Sequence, residues 1–174
     1  IGTEEGLSVN YVLHIVQDKY GFLWVGTQDG LNRFDGYRFT HFKNDPKDSQ
    51  SISKSFITGI VEDSKGNLWI STWGGGLNKF DRQKETFTAF RANKKQGSIS
   101  SDLLNCLVID KNDQLWIGAQ DGGLIHFNTK TLSANVYSNP QINSHGLLSN
   151  EVRAILPIDQ DRLWIGTQWG GLFQ

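Results

Sequence analysis

The chain has 174 residues, with 17 Lys and Arg against 18 Asp and Glu and a formal net charge of −1. That length allows one sizeable core, and the charge balance excludes the basic excess of a nucleic-acid binder or of a polybasic membrane-surface segment. No apolar run approaches the roughly 20 residues of a membrane helix, and no signal-peptide pattern opens the chain. A start at Ile1 with no Met anywhere predicts a module of a longer protein, touching a membrane only through regions outside this segment. The single Cys106 has no partner for an internal disulfide.

In chain order, residues 1–8 read as a lead-in. Val12 to Val16 is apolar and β-branched, and Asp18-Lys19-Tyr20-Gly21 is a turn. Phe22 to Thr27 is a second strand, and Asp29-Gly30 signals a hairpin. Leu31 to Phe34 is a third strand, Asp35-Gly36 another tight turn, and Tyr37 to Phe42 a fourth strand alternating aromatic and polar residues. The pattern then recurs. Leu-Trp stands at Trp24, Trp69, Trp116 and Trp164, at spacings of 45, 47 and 48 residues. Each is followed by a hairpin glycine and a leucine, and three copies close on Phe34, Phe80 and Phe127. Ser8, Ser53, Ser100 and Ser149 precede the tryptophans, and Asp18, Asp63, Asp110 and Asp159 open the turns, the fourth with one residue fewer before its Trp.

Four short antiparallel strands per unit of about 45 residues make an all-β chain, a β-propeller fragment of about four four-stranded blades with the last incomplete. The blades fall approximately at 1–49, 50–96, 97–145 and 146–174 of a single segment. Trp24, Trp69, Trp116 and Trp164, with Phe34, Phe80 and Phe127, are expected in the inter-blade core.

Number the strands of each blade a to d from the inside out. If d joins the next a across the top, the b–c hairpins share that face. It then carries Gln28, Asp29, Trp73, Gln120, Asp121, Gln168 and Trp169, with loops near 44–53, 91–100 and 138–149. Trp73 and Trp169 replace polar residues at hairpin tips. They read either as ligand or partner contacts or as cover for a neighbouring hairpin. Asp29 and Asp121 suit sugar hydroxyls and equally suit simple Asp-Gly turns.

Marks of catalysis and metal binding are missing from the pattern. His14, His41, His126 and His145 form no ligand-spaced pair, so no metal is expected. Cys106 lies in an apolar strand, and Gly74-Gly75-Gly76 lacks phosphate-loop spacing. Strand a offers His14, Thr58, Asn105 and Arg153, a different residue in each blade and no recognisable acid/base set. Neither a catalytic residue nor a cofactor is predicted.

The pattern D-x-x-G-x-L-W-[IV]-G-T-x-x-G-G-L-x-x-F-D, seen at 18–35 and 63–81 and more loosely at 110–128 and 159–173, resembles the two-component regulator propeller repeat. The linker Asn44-Asp45-Pro46-Lys47-Asp48 and the opening Thr3-Glu4-Glu5-Gly6-Leu7-Ser8 are similar to that family's inter-blade loop and first blade. Departures are Ser71 for Gly, Asn112-Asp113 for the turn Gly, and Ala119 for Thr. The resemblance implies a non-catalytic, periplasmic ligand-sensing module of a membrane receptor of the histidine kinase or diguanylate cyclase type, often tuned to carbohydrates. Its alternatives are a protein-interaction scaffold and, less favoured, a propeller lyase or glycosidase. An open arc also exposes one face of each terminal blade. Partners are therefore expected to be further blades of a longer chain or a second copy, with a small molecule or glycan as ligand.

Overall fold

The computed structural model describes residues 1–93, 95–138, 147, 149–159 and 162–174. Four antiparallel sheets follow one another in sequence. The first holds β1 (Val12–Gln17), β2 (Leu23–Thr27), β3 (Gly30–Phe34) and β4 (Phe39–Phe42); the second β5 (Ile57–Glu62), β6 (Leu68–Thr72), β7 (Gly76–Asp81) and β8 (Thr86–Phe90). The third holds β9 (Leu104–Ile109), β10 (Gln114–Ala119), β11 (Leu124–Asn128) and β12 (Ser133–Tyr137). The fourth holds β13 (Val152–Pro157), β14 (Leu163–Thr167) and β15 (Gly171–Phe173). Each sheet is a plain meander of sequential neighbours. Among the described residues the only helical element is a 3₁₀ turn, Thr3–Glu5, and no helix is long and apolar enough to cross a membrane. The expected all-β propeller architecture is thus what the chain adopts.

The sheets stack face to face, with β1, β5, β9 and β13 adjacent along the inner edge. Strands apolar on both sides make this stacking favourable, since each central sheet buries both faces at ~25 cal/mol per Å² of apolar surface. The first seam buries Trp24, Leu31, Ile57, Ile60, Leu68, Ile70 and Phe80. The second buries Trp69, Leu77, Leu104, Leu107, Ile117 and Phe127. Close approach explains the small residue after Trp-[Val/Ile]. A Cβ on Gly26 would lie 2.7 Å from Ile57 Cγ2, and one on Gly118 2.8 Å from Val152 Cγ1.

Position in the arc separates residues that the repeat makes equivalent. Trp24 and Trp69 are fully buried, whereas Trp164 is 37% exposed because no blade covers its face. Phe34, expected in the core with Phe80 and Phe127, is only half-buried on the outer face of the first sheet.

Each tryptophan is tied to its turn. The Nε1–H of Trp24 donates to Asp18 Oδ2 at 2.8 Å, that of Trp69 to Asp63 Oδ2 at 3.0 Å, and that of Trp116 to Asp110 Oδ2 at 3.2 Å. The other carboxylate oxygen accepts two turn amides, Tyr20 and Phe22 for Asp18, and Lys65 and Asn67 for Asp63. The fourth copy corrects the sequence reading of a shortened turn. β13 and β14 are separated by residues 158–162, the same five-residue interval as in the first two blades. Ile158 holds the aspartate position, and Asp159, one residue later, accepts from Arg162 instead.

Candidate functional site

The b–c hairpins do share a face with the loops that lead into each inner strand. Gly30 N–H donates to Ser55 O, Trp73 N–H to Phe56 O, Gly76 N–H to Asp102 O, Gln120 N–H to Leu103 O and Gln168 N–H to Glu151 O, all within 3.0 Å. The recurring serine is the anchor. Ser8 pairs with Thr27 and its amide donates to Asn32, Ser53 repeats this with Thr72 and Asn78, and Ser100 Oγ donates to Gly122 O. Gly76 takes φ 70° and Gly123 φ 76°, and a Cβ there would strike the carbonyl oxygens of Phe90 and Tyr137. The rim is therefore held by backbone and leaves the tip side chains free to vary.

Those tip side chains occupy four different settings. Trp73 is half-buried, its ring centroid 6.4 Å from that of Phe56, and it bridges to Leu103 in the seam toward the third sheet. Trp169 is 93% exposed at φ 65°, a left-handed conformation uncommon for a bulky residue. Gln28 and Asp121 are exposed, and Asp29 forms an ion pair with Lys43 at 2.6 Å. Gln120 and Gln168 are half-buried, and Gln120 Oε1 is a buried acceptor without a hydrogen-bond partner. Trp169 thus stands on the hairpin of the fourth blade, and Gln120 and Asp121 on that of the third.

Elsewhere the titratable groups serve structure. Burial works against ionisation of Asp18, but the Trp24 indole, Arg82 and the Phe22 amide outweigh it and lower its pKa. Asp63 is lowered likewise, burial being outweighed by Trp69, Asn67 and the Lys65 amide. Burial pushes the Cys106 thiol up to about 11, which suits an inert packing residue. Burial lowers His14 and His126; the latter stacks on Trp116 at 4.2 Å. Among the strand-a residues, Thr58 bonds Ser71, Asn105 donates to Val152 O, and Arg153 pairs with Glu151. Among the described residues no group of three or more His, Cys, Asp or Glu could hold a metal.

Two features escaped the sequence reading. Arg82 clamps the first two blades on the opposite face, reaching Asp18 at 2.7 Å, Glu62 at 3.0 Å and Gly66 O at 2.8 Å. It has no repeat equivalent, so periodicity gives no signal for it. Arg33, Lys79 and His126 sit at one repeat position and each covers its blade's tryptophan. A basic or aromatic residue two places after the hairpin leucine was the available signal. A cavity of about 750 Å³ lies between Trp116 and Tyr137 of the third sheet and Leu163 and Ile165 of the fourth.

Residues 6–29, 51–74 and 146–169 match the two-component regulator propeller family. A 49-residue stretch, 28% of this chain and 4% of the relative, is 59% identical to histidine kinase P4 of Formosa agariphila. Among solved structures, the extracellular domain of a hybrid two-component system of B. thetaiotaomicron, BT3049, is 30% identical and superposes with a TM-score of 0.90 over 99% of this chain and 24% of that one. A second extracellular domain from that organism, BT4673, is 23% identical with a TM-score of 0.75 over 95% of this chain and 23% of that one. Virginiamycin B lyase from Staphylococcus aureus shares the fold alone, at 13% identity and a TM-score of 0.65, over 96% of this chain and 56% of that one. The chain spans about a quarter of the two extracellular domains.

Proposed function

Because this chain is built of two-component regulator propeller repeats, we propose that it is a non-catalytic, extracytoplasmic ligand-sensing segment of a membrane signal-transduction receptor. The supporting observation is the rim of the third and fourth blades. There Trp169 stands 93% exposed and Gln120 Oε1 is buried without a partner. An exposed aromatic plane with nearby amide and carboxylate groups suits a small polar ligand with an apolar face, a description that includes sugars. The ligand acts through differential affinity for two arrangements of the receptor, which in this reading are arrangements of whole blades.

The test is a thermal-shift screen of the 174-residue chain against glycans and amino acids, followed by calorimetry on any hit. The reading expects a ligand whose affinity falls at least tenfold in Trp169→Ala and in Gln120→Ala, with no turnover. A hit that is chemically converted, or one unaffected by both substitutions, overturns it. A protein-interaction scaffold is the second reading, favoured by the same exposed indole, since Trp is enriched among interface anchors. Loss of a protein partner rather than of a small ligand on Trp169→Ala would decide for it.

A further inference from the structure

The first two seams share one plan and differ at one aromatic position. The strand registers make Phe42 and Phe90 equivalent, opposite the hairpin leucines Leu31 and Leu77. They make Phe80 and Phe127 equivalent too, and with them the residues opposite, Phe87 and Ala134. In the first seam Phe42, Phe80 and Phe87 form a closed trio beside Trp24. Phe42 lies 5.1 Å from Phe80 and 5.8 Å from Phe87, and Phe80 lies 4.9 Å from Phe87, between ring centroids. In the second seam Phe90 and Phe127 keep the pair at 5.2 Å beside Trp69, and Ala134 puts a methyl group where the third ring would stand.

The chain leaves room beside that pair. A cavity of about 300 Å³ lies against Phe90 and Phe127, with Ile99 and Leu132 as further apolar walls. That is the lower end of the roughly 300–1,000 Å³ in which small molecules are held. The loop at 91–99 frames the cavity and is tied down. Ala134 N–H donates to Gly97 O at 2.8 Å, Lys95 N–H to Asn93 Oδ1 at 2.8 Å and Ser98 Oγ to Asn93 O at 2.7 Å. The charges on this frame have one sign. Arg91 and Lys95 line the cavity and, among the described residues, no Asp or Glu does. Asp102, outside the lining, holds Arg91 Nε and Nη2 at 3.0 Å. Lys95 is exposed and forms no ion pair with a carboxylate among the described residues.

We propose that this slot binds a small aromatic carboxylate, its ring completing the trio where Phe87 does so in the first seam and its carboxylate facing Lys95 and Arg91. A ring there buries apolar surface and takes the offset or edge-to-face contacts that aromatic groups favour. A neutral ring leaves Lys95 without a counter-charge, and an aliphatic acid forgoes the ring contacts, so the two halves of the site select one class. Phe90 belongs to β8 and Phe127 to β11, so the ligand touches two sheets and favours the arrangement in which their seam is closed. The slot shares no residue with the hairpin tips and is independent of the ligand reading above.

Calorimetric titration of the 174-residue chain with phenylacetate tests it, with benzyl alcohol as the ring without the charge and acetate as the charge without the ring. Phenylacetate should bind more tightly than either control. Lys95→Gln should weaken phenylacetate roughly 2–5-fold, the worth of one exposed ion pair, and leave benzyl alcohol unchanged. Ala134→Phe provides the third ring from the chain itself. It should melt no lower than the parent chain and weaken phenylacetate at least ~10-fold, because a filled slot leaves the ligand ring no apolar surface to bury. Ala134→Leu fills the slot in part and serves where a phenyl there blocks folding; it too should weaken phenylacetate. No binding of phenylacetate at its solubility limit, an affinity no better than that of benzyl alcohol, or binding undiminished in the folded slot-filling variants overturns the proposal.

Discussion

The indole of Trp69 donates to Asp63 Oδ2 at 3.0 Å from a ring with no solvent exposure. That one bond joins the five-residue turn between β5 and β6 to the centre of an inter-blade seam. The carboxylate orders the turn amides, and the indole presents its apolar body to Phe127 of the next sheet. Local turn chemistry and long-range packing are thereby made one cooperative unit.

Asp63→Ala should be the most damaging single substitution at a turn. It orphans the buried indole N–H of Trp69, while the Lys65 and Asn67 amides can turn to water, and is expected to lower stability by about 1–3 kcal/mol, the cost of one unsatisfied buried group. Asp159→Ala, displaced by one residue from that role, should change stability by less than about 0.5 kcal/mol. Urea denaturation of the two variants measures the contrast, and equal losses would show that the Trp–Asp bond is not the cause.

Acid should destabilise the fold through the same aspartates. Asp18 and Asp63 have lowered pKa values when folded, so below the unfolded carboxylate value of about 4 the unfolded chain binds more protons. Their contribution is complete above that pH and is lost as pH falls through the lowered folded values. Denaturation midpoints should decline below about pH 4, and the decline should be shallower in an Asp18→Asn, Asp63→Asn double variant.

Glycine tolerance should follow position in the arc. Gly26→Ala forces a Cβ to within 2.7 Å of Ile57 and is expected to cost about 1–3 kcal/mol. Gly166→Ala meets nothing closer than 3.5 Å within one copy and should leave the stability of a single chain nearly unchanged. Thermal denaturation of both variants checks the difference.

Cys106 should be unreactive in the native state. With the thiol pushed up to about 11, on the order of one part in a thousand is thiolate at pH 8, and the strand shields it further. Labelling by a chromogenic disulfide should proceed only as fast as unfolding and become rapid in urea. Rapid native labelling would mean that the seam between the third and fourth blades opens freely.

Much of this was legible in the chain itself. A serine, an aspartate, a tryptophan and a hairpin glycine at recurrent offsets fit one strand-turn-strand unit, and so set the blade, its registers and the face that carries the hairpin tips. Those are local matters, dictated within some 45 residues by alternation and turn chemistry. The tip residues were legible as candidates but not in their settings. Trp73 and Trp169 look alike in the sequence, yet one lies in a seam beside Phe56 and the other stands in solvent.

By itself the sequence determined the repeat and the strands within it, because hydrophobic period and turn residues act over a few neighbours. Only the tertiary structure decided which faces are covered. Trp69 and Trp164 carry the same local pattern, and the first is buried while the second is partly bare. Burial depends on what lies across the seam, a relation between sheets some 45 residues apart that the pattern within one blade does not contain.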